Sequence, residues 1–443
     1  MNTKIEEAIQ DLRLNNSRYT KFERYYAGLH ELSFATEKFV NAFGSQFREF
    51  AMNLCPAVCD AVKDKLKITG FSVEAGPADT STHAERIWNA NRMMLRSGET
   101  HKEALKNGDA YAFVWPDENG SARIYPNKAA NIAVTYDDEN SGRITNAAKF
   151  WRTADKQTRL NLYFPDRIER YITAKPSESY LPEASEFIPY QPLTISPQQP
   201  NFDDARLTAD NDPIISNPFG RVPIFHFANN ADIGMPGRSE FETAIPIQDG
   251  LNKSLLDMLV AMEFSAFRQR WVAGIEVEYD PEGKAIEPFK AGPDRLWVAK
   301  DVNSKFGDFE SAPLDQFLMV KDSFRIDIAS VTGTPLHYLM PHMRGQPSGE
   351  TLRRSETRFI AKVRNRQVAF GQVWADLMEF ALAIEGIGSG VRLKTNWEDP
   401  SPTSERERLE NIVLKKDLGL SSKRALIEAG YGESEAVDGM LHR

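Results

Sequence analysis

The stretch SEFETAIPIQDGLNKSLLDMLVAMEFSAFRQR, residues 239–270, has the pattern of one long helix. Ser239 and Glu242 have the spacing of a capping box, and Pro246 is expected to kink the helix or to restart it after one turn. At 1.5 Å per residue the helix would be about 45 Å long, which is long for a globular domain. Its apolar residues recur at helical spacing: Leu251, Leu255, Leu259, Met262, Ala266 and Phe267.

A compact β-rich insert follows this helix. It covers residues 272–312 and contains the hairpin pattern GIEVEYDPEGKAI (274–286) and the strand pattern DRLWVAK (294–300). A shorter helix is predicted over 314–331. The sequence therefore predicts two helices joined by a β insert.

A loop and a third long helix follow. The loop TGTPLHYLMPHMRGQPSG, residues 332–349, is punctuated by glycine and proline, and its 18 residues are more than an ordinary connection needs. Ser348 can cap a helix over 350–384. A strand near VRLKTNW (391–397) then leads to a helical C-terminal region, 401–443.

The N-terminal half mixes helices with a predicted antiparallel meander. Helical periodicity covers most of residues 1–65, and further helices are expected at about 83–94 and 99–106. Between 111 and 173, six short β-branched and aromatic segments alternate with turn sequences. Residues 176–223 contain nine of the 25 prolines and are interpreted as an extended surface excursion. The predicted fold class is α+β.

Composition excludes several classes of protein. With 41% apolar and 26% charged residues the chain is too apolar to be disordered, and its net charge of −9 argues against gripping nucleic acid over the whole surface. No stretch approaches 20 apolar residues, and the start MNTKIEEAIQ lacks the core of a signal peptide, so we expect no membrane association. Cys55 and Cys59, the only cysteines, are interpreted as packing residues one helical turn apart.

No catalytic signature is found. A phosphate-binding loop is absent, and the glycines of GIGSG (386–390) lack the spacing of a dinucleotide site. The seven histidines are scattered, and the acidic run Asp137, Asp138 and Glu139 is interpreted as a turn rather than a metal site. We therefore predict no catalysis, no metal and no cofactor.

One charge pattern stands out in the last long helix. Residues 351–370 contain six cations and one anion, Glu356. Like charges four residues apart repel one another, so this helix face calls for partners, either phosphates or carboxylates from another element or subunit. We favour carboxylates of another subunit. The cations at this spacing are Arg354, Arg358, Lys362 and Arg366.

These residues belong to a longer resemblance. The chain resembles portal proteins of tailed double-stranded DNA phages, in the branch related to siphophage portals of Gram-positive hosts. The matching segments are RYYAGLHELSFAT (24–36), NLCPAVCDAVKDKLKITGF (53–71), GRSEFETAIPIQDGLNKSLLDMLVAMEFSAFRQRWVAG (237–274), TGTPLHYL (332–339) and QPSGETLRRSETRFIAKVRNRQVAFGQVW (346–374).

The resemblance implies a ring, usually of twelve subunits, at one vertex of the capsid. Double-stranded DNA passes through its channel during packaging and ejection. The implied partners are the terminase motor, then the head–tail adaptor, together with the major capsid and scaffold proteins. The implied location is the virion, and the host cytoplasm during assembly.

The resemblance also implies a division of the chain into named regions. The regions are a wing (1–238), a stem helix (239–271), a clip (272–312), a second stem helix (313–331), a tunnel loop (332–349), the long inner wing helix with its return strand (350–400) and a short helical crown (401–443). The expected DNA-facing residues of the tunnel loop are His337, Leu339, Met340, His342, Met343 and Arg344. The expected docking residues of the clip are Glu276, Glu278, Lys284, Arg295 and Trp297.

Two other functions remain open on the sequence. A different head–tail connector would lack the helix–insert–helix arrangement of 239–331. A nucleic-acid-processing enzyme would need a carboxylate cluster or a nucleotide-binding loop.

Overall fold

The computed structural model describes residues 2–31, 51–77, 79–137, 139, 142–177, 181–190, 212–266, 270–274, 279–282, 303–308, 314–340, 349–388, 390–401 and 405–429. The chain divides into two compact units. The first contains residues 1–27, 54–244 and 331–443, and the second contains residues 28–53 and 245–330. Among the described residues every strand pair is antiparallel, and helices are plentiful, so the predicted α+β class is confirmed.

The elements are numbered in chain order. The α-helices are α1 (Asn2–Tyr26), α2 (Cys55–Lys63), α3 (Thr80–Ala90), α4 (Met93–Asn107), α5 (Ile245–Ala266), α6 (Asp315–Thr332), α7 (Leu336–Leu339), α8 (Gly349–Ile384), α9 (Glu405–Asp417) and α10 (Ser422–Glu428). The strands are β1 (Ile68–Ala75), β2 (Asp109–Pro116), β3 (Ala122–Lys128), β4 (Ile132–Tyr136), β5 (Ile144–Arg152), β6 (Thr158–Tyr163), β7 (Arg167–Thr173), β8 (Phe187–Pro189), β9 (Ile214–Ser216), β10 (Ile224–Ala228), β11 (Arg270–Ala273), β12 (Lys305–Asp308) and β13 (Arg392–Trp397).

The predicted meander forms all six strands but divides between two sheets. Strands β2 and β3 join β10 in a three-stranded sheet of order β10-β2-β3. Strands β4 to β7 continue with β8 into a second sheet, in which β9 also pairs with β7. A short 3-10 turn at Ala129–Asn131 separates the two groups, so the meander is interrupted there.

The first unit packs α1 against the second sheet. The apolar stripe of α1, with Ile5, Ile9 and Leu12, lies in one core with Phe150 and Leu160. This face of α1 is buried, as the helical periodicity requires, while Leu14 on the other side is exposed. Burying a large apolar side chain contributes about 1.5–3 kcal/mol, so these contacts are a main reason why α1 stays on the sheet.

The long helix α8 is held in the first unit by an aromatic cluster. Trp374 is fully buried, and its ring centroid lies 4.6 Å from that of Phe227 and 5.2 Å from that of Trp88. His101 of α4 is also fully buried and stacks on Phe370. The Trp374 Nε1–H donates a hydrogen bond to His101 Nε2 at 2.8 Å, so the imidazole accepts at this nitrogen in its neutral form.

We expect His101 to make the first unit less stable in acid. Burial lowers the pKa of His101 to about 3, against 6.5 for an exposed histidine. Below pH 6.5 the unfolded chain therefore binds a proton that the folded chain does not, and stability falls until the pH nears 3. At pH 5 the loss of stability from this group is about 2 kcal/mol relative to pH 7.

Denaturant unfolding at pH 7 and at pH 5 measures this loss of stability. His101→Gln, which keeps an acceptor for Trp374, should lose about 2 kcal/mol less than the wild type over this interval. An equal loss in both proteins would contradict the prediction.

The second unit contains α5, most of α6 and the short pair of strands β11 and β12. Gly250 on α5 faces Phe324 on α6, and a Cβ there would lie only 3.1 Å from the ring. The glycine therefore permits the close approach of the two helices. Several apolar side chains of these helices are exposed: Met262, Leu318, Met319, Val320 and Ile326.

The start of α5 corrects one prediction. The hydroxyl of Ser239 is buried and makes no hydrogen bond within the described part of the chain, so the predicted capping box does not form. A 3-10 turn at Glu242–Ala244 precedes α5, which begins at Ile245. Pro246 lies in the first turn, where its missing N–H removes no helical hydrogen bond, so it restarts the helix rather than kinking it.

The other end of the predicted helix is also different. Residues 270–273 form strand β11, which pairs with β12 at the far end of the insert. The insert thus starts and ends as an antiparallel pair. Phe267 and most of the insert interior lie outside the described residues.

Candidate functional site

Two of the four predicted cations of α8 converge on a single buried carboxylate, that of Glu240. Lys362 Nζ lies 2.5 Å from Glu240 Oε2, and Arg366 Nε lies 2.8 Å from Oε1. Positions 362 and 366 are one helical turn apart, so both side chains reach the same point. The side chain of Glu240 is only 3% exposed. A second contact fixes Lys362, because its Nζ also donates to the Thr332 carbonyl at 2.8 Å.

The charges explain why Glu240 stays ionised. Burial raises the pKa of this carboxyl, but the two nearby cations outweigh that effect and hold the pKa below its usual value. Asn229 adds a hydrogen bond from Nδ2 to Oε1 at 3.2 Å. The result is a buried cluster with two positive charges and one negative charge.

Lys362 and Arg366 therefore pair with a carboxylate from another element of the same chain. Arg358 makes no ion pair within the part of the chain that the structure describes, and the side chain of Arg354 lies outside that part. Contact of these four residues with another subunit or with phosphate stays a prediction.

A cavity of about 590 Å³ lies beside this cluster. Three segments of the first unit form it: residues 229–243, residues 331–333 and one face of α8. Its lining side chains carry four positive and two negative charges. The charged ones are Arg238, Glu240, Glu242, Arg358, Lys362 and Arg366.

The predicted tunnel loop is described up to Met340. It contains the single-turn helix α7, in which Leu339 is only 4% exposed. Leu339 therefore belongs to the core, and the prediction that it faces DNA is wrong. His337 lies on the same turn, with Nε2 3.1 Å from Glu356 Oε1, and Met340 is half-buried.

The remaining predicted site residues lie outside the described part of the chain, and their roles stay predictions. In the loop these are His342, Met343 and Arg344. In the insert they are Glu276, Glu278, Lys284, Arg295 and Trp297.

The structure also shows a buried polar network that the sequence analysis missed. Asp109, at the start of β2, is fully buried and accepts hydrogen bonds from Arg18 Nη2 at 2.7 Å and the Tyr19 hydroxyl at 2.8 Å. Its other oxygen lies 2.8 Å from His226 Nε2 and accepts from the Gly237 N–H at 2.8 Å. The network joins α1, β2, β10 and the segment before Ser239. Its members are far apart in sequence, so no spacing could have revealed them.

The network holds Asp109 as a carboxylate. Burial raises the pKa of this group, but the hydrogen bonds, led by the one from His226, outweigh burial and place the pKa below the usual value. Four donors surround one acceptor-only side chain, which is the arrangement that a buried carboxylate needs. The hydrogen bonds of Asp109 thus stabilise the packing of α1 and β10 against β2.

Three further observations concern other kinds of site. Both cysteine thiols are buried and form no disulfide, and burial raises the pKa of the Cys59 thiol. No three His, Cys, Asp or Glu side chains within the described ranges come together in a way that could hold a metal ion. No helix in the same ranges is long and apolar enough to cross a membrane.

Comparison with known proteins identifies the family. The family model "Phage portal protein, SPP1 Gp6-like" matches residues 6–430. The portal proteins of Mycobacterium phages D29 and L5 are 29% and 28% identical to the chain over 229 residues, which are 49% of this chain and 47% of each relative. The chain spans about half the length of the curated relatives it matches.

Two solved structures align with most of the chain. One is from the virion of a native gene transfer agent particle, with a TM-score of 0.47, 12% identity and 93% of both chains covered. Another is from the neck of the native particle computed with C12 symmetry, with a TM-score of 0.44, 12% identity, and 90% of this chain and 95% of that one covered. The resemblance seen in the sequence is confirmed by the family match over nearly the whole chain, and the protein belongs to the SPP1 Gp6-like family of phage portal proteins.

Proposed function

We propose that the protein assembles into a ring at one vertex of a phage capsid and forms the channel through which double-stranded DNA is packaged and ejected. The observation that carries this proposal is the family match over residues 6–430. The ring has twelve subunits in the virion and is assembled in the host cytoplasm. It docks the terminase motor and then the head–tail adaptor, within the shell of capsid and scaffold proteins.

The regions of the portal map onto the elements as follows. The wing is residues 1–238 with α8, and α5 and α6 are the stem helices. The insert that begins with β11 and ends with β12 is the clip, and residues 401–443 are the crown. The clip carries the docking surface, because an insert between two helices can project from them without changing their packing.

Exposed apolar surface on α5 and α6 supports a ring. In the single chain Met262 on α5 is 45% exposed, and Met319 and Ile326 on α6 are 65% and 50% exposed. In a closed ring each subunit presents one face to the opposite face of the next, so both helices can bury these side chains in two different contacts. Covering such surface is favourable by about 25 cal/mol per Å².

The charges support a channel that does not hold DNA. Each phosphate that a protein neutralises adds affinity through counterion release, so a passage for moving DNA needs few free cations. The chain carries a net charge of −9, and Lys362 and Arg366 are already paired with Glu240. A protein of this kind is a passive conduit, and the energy for packaging comes from the motor that docks on it.

We expect the purified protein to form closed particles of roughly twelve times the 50.0 kDa mass of the chain, with other ring sizes or monomers in equilibrium. Mass photometry and class averages of negatively stained particles measure this directly. The measurement is made across protein concentrations and with the scaffold protein present. Monomer under all of these conditions would rule out the proposed function.

Added charge in the tunnel loop should slow the DNA. Met340→Lys combined with Met343→Lys places two cations per subunit in the channel, where each can hold a phosphate. The expected result is slower packaging in reconstituted capsids, most clearly at low salt. The matched control is Asn119→Lys with Ala154→Lys, which adds the same two charges at exposed positions in turns. Equal packaging rates for the loop variant and the wild type would show that this segment does not face DNA.

A further inference from the structure

The cavity beside Glu240 carries more positive than negative charge. Lys362 and Arg366 share the single carboxylate of Glu240, and Arg238 is paired with Asp232 at 2.5 Å. Arg358 also lines the cavity and forms no ion pair within the described ranges. Even with the exposed Glu242 included, the lining leaves positive charge without a counterion.

A second observation is the balance of charge in the buried cluster itself. The side chains of Lys362 and Arg366 are only 16% and 10% exposed, and Glu240 supplies one negative charge for the two of them. Buried charges need counterions, because burial removes the water that would otherwise stabilise them. An anion in the cavity would supply the second counterion.

We propose that this cavity binds an oxyanion, with the Arg358 guanidinium as its donor. Guanidinium groups bind phosphate and carboxylate through two parallel hydrogen bonds, and the surplus charge of the Lys362–Arg366–Glu240 cluster adds attraction. A volume of about 590 Å³ admits a free phosphate with water, or a carboxylate side chain that enters from a second copy of the chain. Either source supplies the same chemistry.

An oxyanion here would connect three segments. It would touch the residues before α5, the start of the predicted tunnel loop near Gly333, and α8. Occupancy would then stabilise the base of that loop in the first unit. The site itself does not depend on the proposed ring, and only its occupation by a second copy does.

The site is tested first on dilute, unassembled protein. Sodium phosphate is titrated at constant ionic strength against sodium chloride, and binding is followed by isothermal titration calorimetry and by the thermal midpoint. The wild type should bind saturably, and Arg358→Gln should bind at least ten-fold more weakly. Arg364→Gln is the matched control, since Arg364 lies on the same helix but pairs with Asp399 outside the cavity.

The second arm distinguishes the two sources. If the anion is a carboxylate of the neighbouring copy, assembled rings should no longer bind phosphate. Arg358→Gln should then weaken ring assembly, and Arg364→Gln should not. Rings that still bind phosphate through Arg358 would identify it as a free anion. No saturable binding in the dilute wild type, or equal binding by Arg358→Gln and Arg364→Gln, overturns the site. A wild type that binds phosphate but never forms rings would count against the proposed function and not against the site.

Discussion

Replacing Glu240 by glutamine is expected to lower the free energy of unfolding by about 3–5 kcal/mol. The substitution keeps the shape of the side chain but removes the negative charge that both Lys362 and Arg366 contact. Both cations are largely buried, with side chains 16% and 10% exposed, so water replaces the lost partner poorly. Denaturant unfolding at neutral pH measures the loss.

Two further variants show whether the loss comes from charge. Glu242→Gln makes the same chemical change at an exposed position that lines the same cavity, and it should change stability by less than about 0.5 kcal/mol. Adding Lys362→Met to Glu240→Gln should recover part of the loss, because one unpaired cation is removed. Equal stability of the Glu240 and Glu242 variants would show that the cluster contributes little.

The second large effect is expected at Asp109. Asp109→Asn should also lower the free energy of unfolding by about 3–5 kcal/mol, because an amide cannot accept all the hydrogen bonds that this buried carboxylate accepts. The Arg18 guanidinium would lose its ion pair, and α1 would lose its polar tie to β2. Hydrogen exchange should show earlier opening of α1.

A control variant and the pH dependence show whether the loss of stability comes from the buried charge of Asp109. Asp155→Asn makes the same change at an exposed turn position and should be nearly neutral. The folded-state pKa of Asp109 lies below its unfolded value, so its contribution is present above about pH 4 and is lost as the pH falls further. The gap between wild type and Asp109→Asn should therefore narrow in acid. A gap that stays constant down to pH 3 would argue against an ionised Asp109.

Local patterns in the sequence predicted most of the elements. The periodicity of α8 and the alternation in β2 to β7 were read correctly, because burial on one face leaves a repeat in neighbouring residues. Strand β1 was missed. Its partner β13 lies more than 300 residues away, so no local pattern connects the two strands.

The candidate site, like the fold, could be predicted only in part from the sequence. The helical spacing of Arg358, Lys362 and Arg366 was visible in the sequence, and so was their need for partners. The partner was not visible, because Glu240 and Arg366 are 126 residues apart. The capping-box spacing at Ser239 was misleading for a related reason, since tertiary packing buries this hydroxyl beside the cavity rather than at the start of α5.

The sequence by itself determined the family, the α+β class, and the order of long helix, β insert and helix, because these depend on motifs and on repeats within a few residues. Only the tertiary structure decided that Leu339 is core, that Glu240 neutralises two cations of α8, and that Asp109 meets His226 from 117 residues away. Contacts of this kind depend on how separate elements pack, and a short-range pattern carries no information about the residue that will lie opposite.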